Sequence, residues 1–157
     1  MLVVADSSAL VALAACEGLA WLDARFEQVR VPRAVFQECT IADKPQATVL
    51  HTYLIDKIIE VNPVMALITP SGLGLGETEA MTLYRQLQAD ALLIDDRRAR
   101  KVAHLNQLKT IGSLSIVLWA KQQDYIKTIR PALTAIQQAG IFLSESVIQE
   151  TLNLAGE

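Results

Sequence analysis

The sequence predicts an α/β fold in which a parallel sheet carries helices on both faces. Short apolar runs alternate along the chain with longer segments of helical periodicity, which is typical of parallel strands joined by right-handed crossovers. Acidic residues directly follow two of these runs: Asp6 follows the first, and Asp95 and Asp96 follow the fourth. Since the carboxyl ends of parallel strands meet at one edge of a sheet, these acids are expected to share a crevice.

Five strands are predicted from short apolar runs with turn or polar residues beside them. The runs are 2–5, 29–31, 58–61, 91–94 and 110–111. The first is apolar throughout and is predicted to be buried. Residues 62–76 contain two prolines and three glycines, so they are predicted to form an irregular connection with one helical turn at most.

Helices are predicted where capping residues, prolines or an apolar stripe mark a helical segment. They cover 9–15, 19–26, a segment from Pro32 through Glu38, 45–53, 77–88, 97–106, 113–120, 128–139 and 144–154. The clearest is 77–88, because Ala80, Leu83, Tyr84 and Leu87 have the spacing of one buried face. The segment 113–120 is apolar nearly all round, so that helix is expected to be buried.

Length and composition predict one folded domain over residues 1–157, with extra C-terminal helices from about residue 128. Hydrophobic residues make up 52% of the 157 residues and charged residues 20%, as in globular proteins. The net charge of −3 argues against a non-specific nucleic-acid binder, which is normally basic. No apolar run approaches the ~20 residues of a membrane span, and no basic leader begins the chain. A cytoplasmic protein that does not bind membranes is therefore predicted.

Cysteines and histidines are too sparse to predict a soft-metal site. Cys16 and Cys39 form no CxxC pair, so both are predicted to be reduced and structural. His51 and His104 lack a zinc-type spacing. A metal bound by this chain is therefore expected to have oxygen ligands, which favours Mg²⁺ or Mn²⁺.

Five acids are candidates for such a site: Asp6, Glu38, Glu77, Asp95 and Asp96. Carboxylates gathered at one sheet edge repel one another unless a cation or protons neutralise them. The pattern therefore indicates metal-assisted hydrolysis. Each acid also has a purely structural explanation, since Asp6 and either Asp95 or Asp96 can cap helices, Glu77 suits a first helical turn, and Glu38 can be solvated.

A basic cluster follows the doubled aspartate. Arg97, Arg100, Lys101 and His104 share one face of the predicted helix, and Arg98 lies beside them. One interpretation is that these cations position substrate phosphates next to the metal. The other is a solvated face whose arginines neutralise neighbouring acids.

Aromatic platforms for stacking single-stranded bases are not predicted. Trp21, Trp119 and Tyr84 are expected in the core, and Tyr53 and Tyr125 are the aromatic side chains considered for exposure. Recognition of bases by stacking therefore has no clear candidate in the sequence.

Seven short motifs occur in an order that resembles PIN-domain ribonucleases over nearly the whole chain. They are VADSS at 4–8, VPRAVFQE at 31–38, GETEA at 76–80, LIDDR at 93–97, RKVA at 100–103, IGSL at 111–114 and GIFLS at 140–144. The resemblance is to the subgroup, with VapC-like toxin relatives, whose signature is a Gly-Glu helix start and a doubled Asp. It implies a five-stranded parallel sheet with helices on both sides.

The resemblance also assigns the acids to a metal site. Asp6, Glu38, Glu77 and Asp95 match the four metal-site acids, with either Asp95 or its neighbour Asp96 facing the crevice. In that assignment Asp6 anchors the principal metal, Asp95 and Glu77 complete its shell, and Glu38 holds the shell or orients water.

Three further residues enter through the same resemblance. Ser7 and Ser113 match small polar positions that support the site, although capping a helix explains each of them equally well. Glu79 departs from the aligned position and is expected to be solvated.

The resemblance implies an endoribonuclease that leaves a 5′-phosphate, acts as a toxin, and is blocked by a small antitoxin protein, often as a homodimer. The alternative is a catalytically silent PIN-like module that binds or regulates. A receiver-type phosphoacceptor is disfavoured, because it requires an acidic pair after the first strand and a lysine after the last. Here Asp6 stands alone, and Gly112 and Ser113 follow the last strand.

Overall fold

Residues 1–67 and 72–157 are described by a computed structural model, and they form a three-layer α/β/α fold around an all-parallel sheet. The five strands of this part of the chain are β1 (Leu2–Ala5), β2 (Gln28–Pro32), β3 (Ile58–Ile59), β4 (Ala91–Leu93) and β5 (Thr110–Ile111). Their order across the sheet is β3-β2-β1-β4-β5. The predicted fold class is confirmed.

The helices of the described residues alternate with these strands and then continue to the C-terminal end. They are α1 (Ser7–Ala15), α2 (Leu19–Arg25), α3 (Arg33–Cys39), α4 (Ala47–Leu54), α5 (Leu75–Leu87), α6 (Arg97–Leu105), α7 (Ser113–Gln122), α8 (Arg130–Gln138) and α9 (Glu145–Ala155). Each overlaps a predicted helix.

Several helices begin at residues other than the predicted ones, because the residue at the cap position is not the one expected from the sequence. Asp6, rather than a serine hydroxyl, caps α1 by accepting a hydrogen bond from the Ser8 backbone N–H. Helix α5 begins at Leu75, two residues before the predicted start. Helix α4 begins two residues after Pro45, and Pro32 is the residue before α3 rather than a member of its first turn.

The connection predicted for 62–76 lies partly outside the described residues, since 68–71 are not among them. Its described part contains a 3₁₀ turn, Pro63–Met65. Asn62 caps this turn by accepting a hydrogen bond from the Val64 backbone N–H at 3.1 Å. The turn agrees with the single helical turn predicted for this segment.

The core lies on the sheet around the two central strands. Val3 and Val4 of β1 and Leu92 of β4 are fully buried. Helix α1 is also mostly buried, with Leu10 and Leu13 inaccessible to solvent, and it contacts α3, α4, α7 and α8. Burying each such leucine contributes roughly 2 kcal/mol, so the start of α1 is firmly fixed at the end of β1.

Among the described residues, no single helix is both long and apolar enough to cross a membrane. Helices α1 and α2 pass that test only when they are taken together, and a bend of 113° separates them.

Both cysteines are free, as predicted. Burial raises the pKa of Cys16 to about 11. Burial, followed by the charges of Asp6 and Glu38, raises the pKa of Cys39 to about 12. Both thiols therefore stay protonated at neutral pH, as expected for structural cysteines.

The strand order places a topological switch point between β1 and β4. From β1 the chain builds β2 and β3 on one side of the sheet and then crosses to β4 and β5 on the other. Ala5 is in register with Leu93, and the Asp6 N–H donates to the Leu93 carbonyl oxygen at 2.8 Å. The residues that follow the two strands therefore meet in the crevice where α/β sheets bind ligands.

Candidate active site at the carboxyl ends of β1 and β4

Asp6 is the most buried acid of the crevice. Its side chain is 1% exposed. The Ser8 backbone N–H and hydroxyl donate to its Oδ2 at 3.2 and 2.7 Å, whereas its Oδ1 is buried and has no hydrogen-bond partner among the described residues. Burial raises the pKa of Asp6, and the charge of Glu38 raises it further. A buried oxygen without a donor is costly, so this atom is the strongest sign of a missing cationic partner.

Asp95, at the end of β4, is held firmly by the start of α7. The Ser113 backbone N–H donates to Asp95 Oδ1 at 2.7 Å, and the Ser113 hydroxyl donates to Oδ2 at 2.6 Å. Gly112 leaves room for this arrangement, because a Cβ there would lie 3.1 Å from Asp95 Oδ1. The carboxylate is therefore fixed in direction from both sides.

Ser8 links the ends of the two central strands and was missed at the sequence level. Its hydroxyl donates to Asp6 Oδ2 at 2.7 Å and accepts a hydrogen bond from the Asp95 backbone N–H at 3.1 Å. The signal for Ser8 in the sequence is the doubled serine after Asp6. A single hydroxyl thus couples the positions of both strand-end acids.

Glu38 reaches the crevice from α3 and is half-buried rather than solvated. The Ser7 hydroxyl donates to its Oε2 at 2.9 Å, and the Gly76 backbone N–H donates to its Oε1 at 3.1 Å. A Cβ on Gly76 would lie 2.6 Å from both carboxylate oxygens. A glycine is therefore required at position 76 for steric reasons, since any side chain there would displace Glu38.

Glu77 lies in the first turn of α5, half-buried, and accepts a hydrogen bond from the Gly74 backbone N–H at 2.9 Å. Burial raises the pKa of Glu77. The charges of Asp6, Asp96 and Glu38 raise it further, against the lowering effect of Gly74. This mutual repulsion shows that the acids share one electrostatic environment.

The structure distinguishes the two residues of the doubled aspartate. Asp96 is exposed and caps α6, with its Oδ1 accepting a hydrogen bond from the Ala99 backbone N–H at 2.8 Å.

The expectation that Glu79 is solvated is wrong. Its Oε2 accepts a hydrogen bond from the Ala34 backbone N–H at 3.1 Å, so it satisfies a free donor at the start of α3.

Neither candidate supporting serine caps a helix, so that explanation is wrong for both. Asp6 and Gly112 occupy the cap positions of α1 and α7. Ser7 and Ser113 instead donate their hydroxyl protons to Glu38 and Asp95. Both hydroxyls therefore contact acids of the crevice.

We define the acidic crevice as Asp6, Glu38, Glu77 and Asp95. Within residues 1–67 and 72–157, no three His, Cys, Asp or Glu side chains form a group that could hold a metal ion as they are placed. Each of the four acids instead turns at least one oxygen to a nearby N–H or O–H donor. The all-oxygen donor set and the unpaired Asp6 Oδ1 fit Mg²⁺ or Mn²⁺, provided that at least one carboxylate moves from its present hydrogen bonds.

A cleft of about 600 Å³ begins at Asp95 and is lined by Arg97, Arg100, Lys101 and His104. We call these four side chains of α6 the basic face. Arg97, Arg100 and Lys101 make no ion pair within the part of the chain that the structure describes. These three cations therefore do not neutralise neighbouring acids through ion pairs.

Comparison with protein families agrees with this geometry. A family model described as a PIN domain matches residues 2–157. The chain belongs to the PIN-domain family. PIN domains are generally nucleases and generally use divalent metal ions. A search of curated proteins found no match to this PIN domain, and its relation to VapC-like toxins stays a prediction.

Proposed function

We propose that this PIN domain is a metal-dependent endoribonuclease that hydrolyses RNA phosphodiester bonds. The observation that carries the proposal is the Oδ1 of Asp6 at the switch point of the sheet, which is buried and has no hydrogen-bond partner among the described residues. Its free energy is high without a positive partner. Burial, and to a smaller extent the charges of neighbouring acids, raise the pKa values of both Asp6 and Glu77. A divalent cation would relieve all of these costs at once.

The acids differ in the roles that their contacts support. Asp6 would anchor the cation through its free Oδ1, with Asp95 and Glu77 as further ligands and Glu38 holding the shell or orienting water. Asp95 is a better ligand candidate than Asp96, because Asp96 is exposed and engaged in capping α6. A bound cation would polarise the scissile phosphate and favour ionisation of the attacking water.

The basic face supports a polyanionic substrate despite the net charge of −3. Arg97, Arg100 and Lys101 line a cleft that begins at Asp95, so phosphates bound there would place the backbone next to the acids. The choice of RNA, of endonucleolytic cleavage and of a 5′-phosphate product rests on the resemblance of the motifs to PIN-domain ribonucleases.

A toxin role, a small antitoxin partner and a homodimer are proposed on the same resemblance alone. The test is induction of the chain in a bacterial host. Growth arrest that is relieved by co-expressing the product of an adjacent small reading frame would support the pair. Normal growth during induction of the active nuclease would contradict a toxin role.

A second candidate is a catalytically silent module that binds or regulates without cleavage. It is favoured by one observation, namely that no three acids of the described residues form a ready metal-holding group. In that case the hydrogen bonds to Glu38 and Asp95 would be permanent features of the fold.

The deciding experiment is cleavage of a mixed single-stranded RNA pool with Mg²⁺ or Mn²⁺. We expect metal-dependent products from the native protein and from Asp43→Asn, which changes an exposed aspartate outside the crevice, and none from Asp6→Asn. Calorimetric titration with each metal accompanies the assay. Metal binding with no cleavage of any RNA would favour the silent module, and full cleavage by Asp6→Asn would reject the proposed mechanism.

A further inference from the structure

A second cleft, of about 410 Å³, opens from the same acid. It shares Asp95, Arg97 and Arg100 with the basic cleft, and its far wall is formed by the segment between α8 and α9 together with the start of α9. Phe142 lies in that segment and is 86% exposed. It is the most exposed aromatic side chain of the described residues. From the sequence, Tyr53 and Tyr125 are instead the aromatic residues considered for exposure, and Tyr125 is 54% exposed.

The surroundings of Phe142 combine three chemistries in one cleft. Arg97 and Arg100 contribute positive charge without an ion pair in the described part of the chain. Ser115 contributes an exposed hydroxyl. Phe142 contributes an apolar ring face. Phosphate, sugar and base of one nucleotide present the complementary groups in the same small volume.

We propose that Phe142 is a stacking platform for one base of single-stranded RNA, whose adjoining phosphate is bound by Arg97 and Arg100. This inference rests on the proposed ribonuclease function and specifies its substrate as single-stranded. Bases in an RNA duplex are stacked on one another, whereas unpaired bases are free to stack on an aromatic ring. Asp95, which the two clefts share, connects the platform with the acidic crevice.

A protein partner or a second copy of the chain would be the competing occupant of an exposed phenyl ring. The charge of the cleft favours RNA, because Arg97 and Arg100, which line the same cleft as the ring, make no ion pair within the described residues and are open to pairing with phosphates. Stacking also requires only a single ring face, which is what this cleft offers.

The test is fluorescence anisotropy with a labelled oligouridine of about 12 nucleotides, the length of a typical single-strand site. Chelator is present so that cleavage does not interfere. Phe142→Ala should weaken binding roughly 5- to 150-fold, as expected for the loss of one base–aromatic stack. Phe142→Trp should restore the native Kd, and Phe142→Leu should not, because leucine is apolar but has no π face.

The control is Leu154→Ala, which removes another exposed side chain, 67% accessible, on α9. It should bind as the native protein does. An abasic strand of equal length should bind native protein and Phe142→Ala with the same, lower affinity. Unfolding temperatures close to native in both variants show that the fold is intact.

The outcomes separate the platform from the nuclease. Native protein that cleaves and binds RNA, with Phe142→Ala unchanged in Kd, would overturn the platform and leave the nuclease standing. Loss of self-association in Phe142→Ala with an unchanged Kd would assign the ring to a second copy and also overturn the proposal. Native protein that neither binds nor cleaves RNA would overturn both inferences.

Discussion

The acidic crevice and the basic face lie side by side but are built differently. In the crevice the carboxylates are buried or half-buried, and the Ser7 hydroxyl, the Gly76 N–H and Ser113 fix two of them within 3.1 Å. On the basic face, Arg97 and Lys101 are exposed and make no ion pair in the described residues. Catalysis requires carboxylates in fixed positions, whereas contact with a polyanion requires only side-chain charge that is free to pair with phosphates.

The comparison teaches that the two regions should respond to different perturbations. Changes in the crevice should act through geometry, with large losses of activity that salt does not alter. Changes on the basic face should act through Coulomb attraction, with small losses of RNA binding that are largest at low salt and shrink as ionic strength rises.

Among substitutions that leave the four acids themselves unchanged, the largest effect is expected from Gly76→Ala. A Cβ there would meet both Glu38 oxygens at 2.6 Å, so Glu38 must leave its position. A displacement of a catalytic group by about 1 Å typically costs about 100-fold in activity. Because Glu38 loses two hydrogen bonds when it moves, each contributing about 1 kcal/mol, thermal unfolding should show a modestly lower stability and an intact fold.

The matched control for Gly76→Ala is Gly74→Ala, whose Cβ would approach only Glu77 Oε2, at 3.7 Å. Activity of Gly74→Ala should stay within a few-fold of native. Equal activity of both alanine variants would show that Glu38 is not required where it lies.

Ser113→Ala should have the next largest effect. It removes the donor to Asp95 Oδ2 at 2.6 Å and leaves the backbone N–H on Oδ1 at 2.7 Å. Loss of a group that orients a metal ligand typically costs 10- to 100-fold, and about tenfold is expected because one of the two bonds remains. Calorimetric titration with Mn²⁺ measures the weakened metal affinity directly, and Ser146→Ala, at an exposed serine of α9, provides the control.

Smaller effects are expected from Arg97→Ala and Lys101→Ala on the basic face. Each should weaken RNA binding a few-fold at low salt and reduce the slope of log Kd against log salt by about 0.7. Anisotropy over a salt series measures both quantities. Lys127→Ala, which removes an exposed lysine beside Asp124, should change neither, and an unchanged slope in Arg97→Ala would remove this residue from the RNA contact.

The smallest effect is on stability and concerns Asp6. Burial raises the pKa of Asp6 above the value of 3.8 that applies in the unfolded chain, so the folded state holds its proton at higher pH. Stability therefore falls as pH rises through the interval from 3.8 to the raised pKa. Removing the charge with Asp6→Asn should increase the free energy of unfolding at neutral pH by about 1 kcal/mol.

Denaturant unfolding in chelator at several pH values measures this effect. Asp6→Asn should lose part of the pH dependence, and the rest should persist because burial also raises the pKa of Glu77. Asp43→Asn, at an exposed site, should follow the native curve. A destabilised Asp6→Asn would show that the Asp6 carboxylate stabilises the apo fold rather than straining it.

Much of the fold was predictable from the sequence, because strands and helices here have strong local signals. The apolar run of β1 and the stripe of α5 each report burial on a single element, and the alternation of elements then favours a parallel sheet. The least accurate predictions were the helix starts, because the cap position is occupied by a residue other than the expected one. Helix α1, for example, is capped by Asp6. A cap depends on a single side-chain contact, which periodicity does not encode.

By itself the sequence predicted the parallel sheet, from the alternation of elements, and the face that Arg97, Arg100 and Lys101 share, from spacing along one helix. It proposed the candidate acids from their places beside strand ends and from the resemblance of the motifs. Only the tertiary structure decided how the acids are held. Ser8 meets Asp95 across 87 residues, and Gly76 meets Glu38 across 38. Contacts between distant segments depend on how whole elements pack, and the local conformational preferences of residues carry no information about that packing. The same reason explains why Phe142 came to lie in a cleft with Asp95.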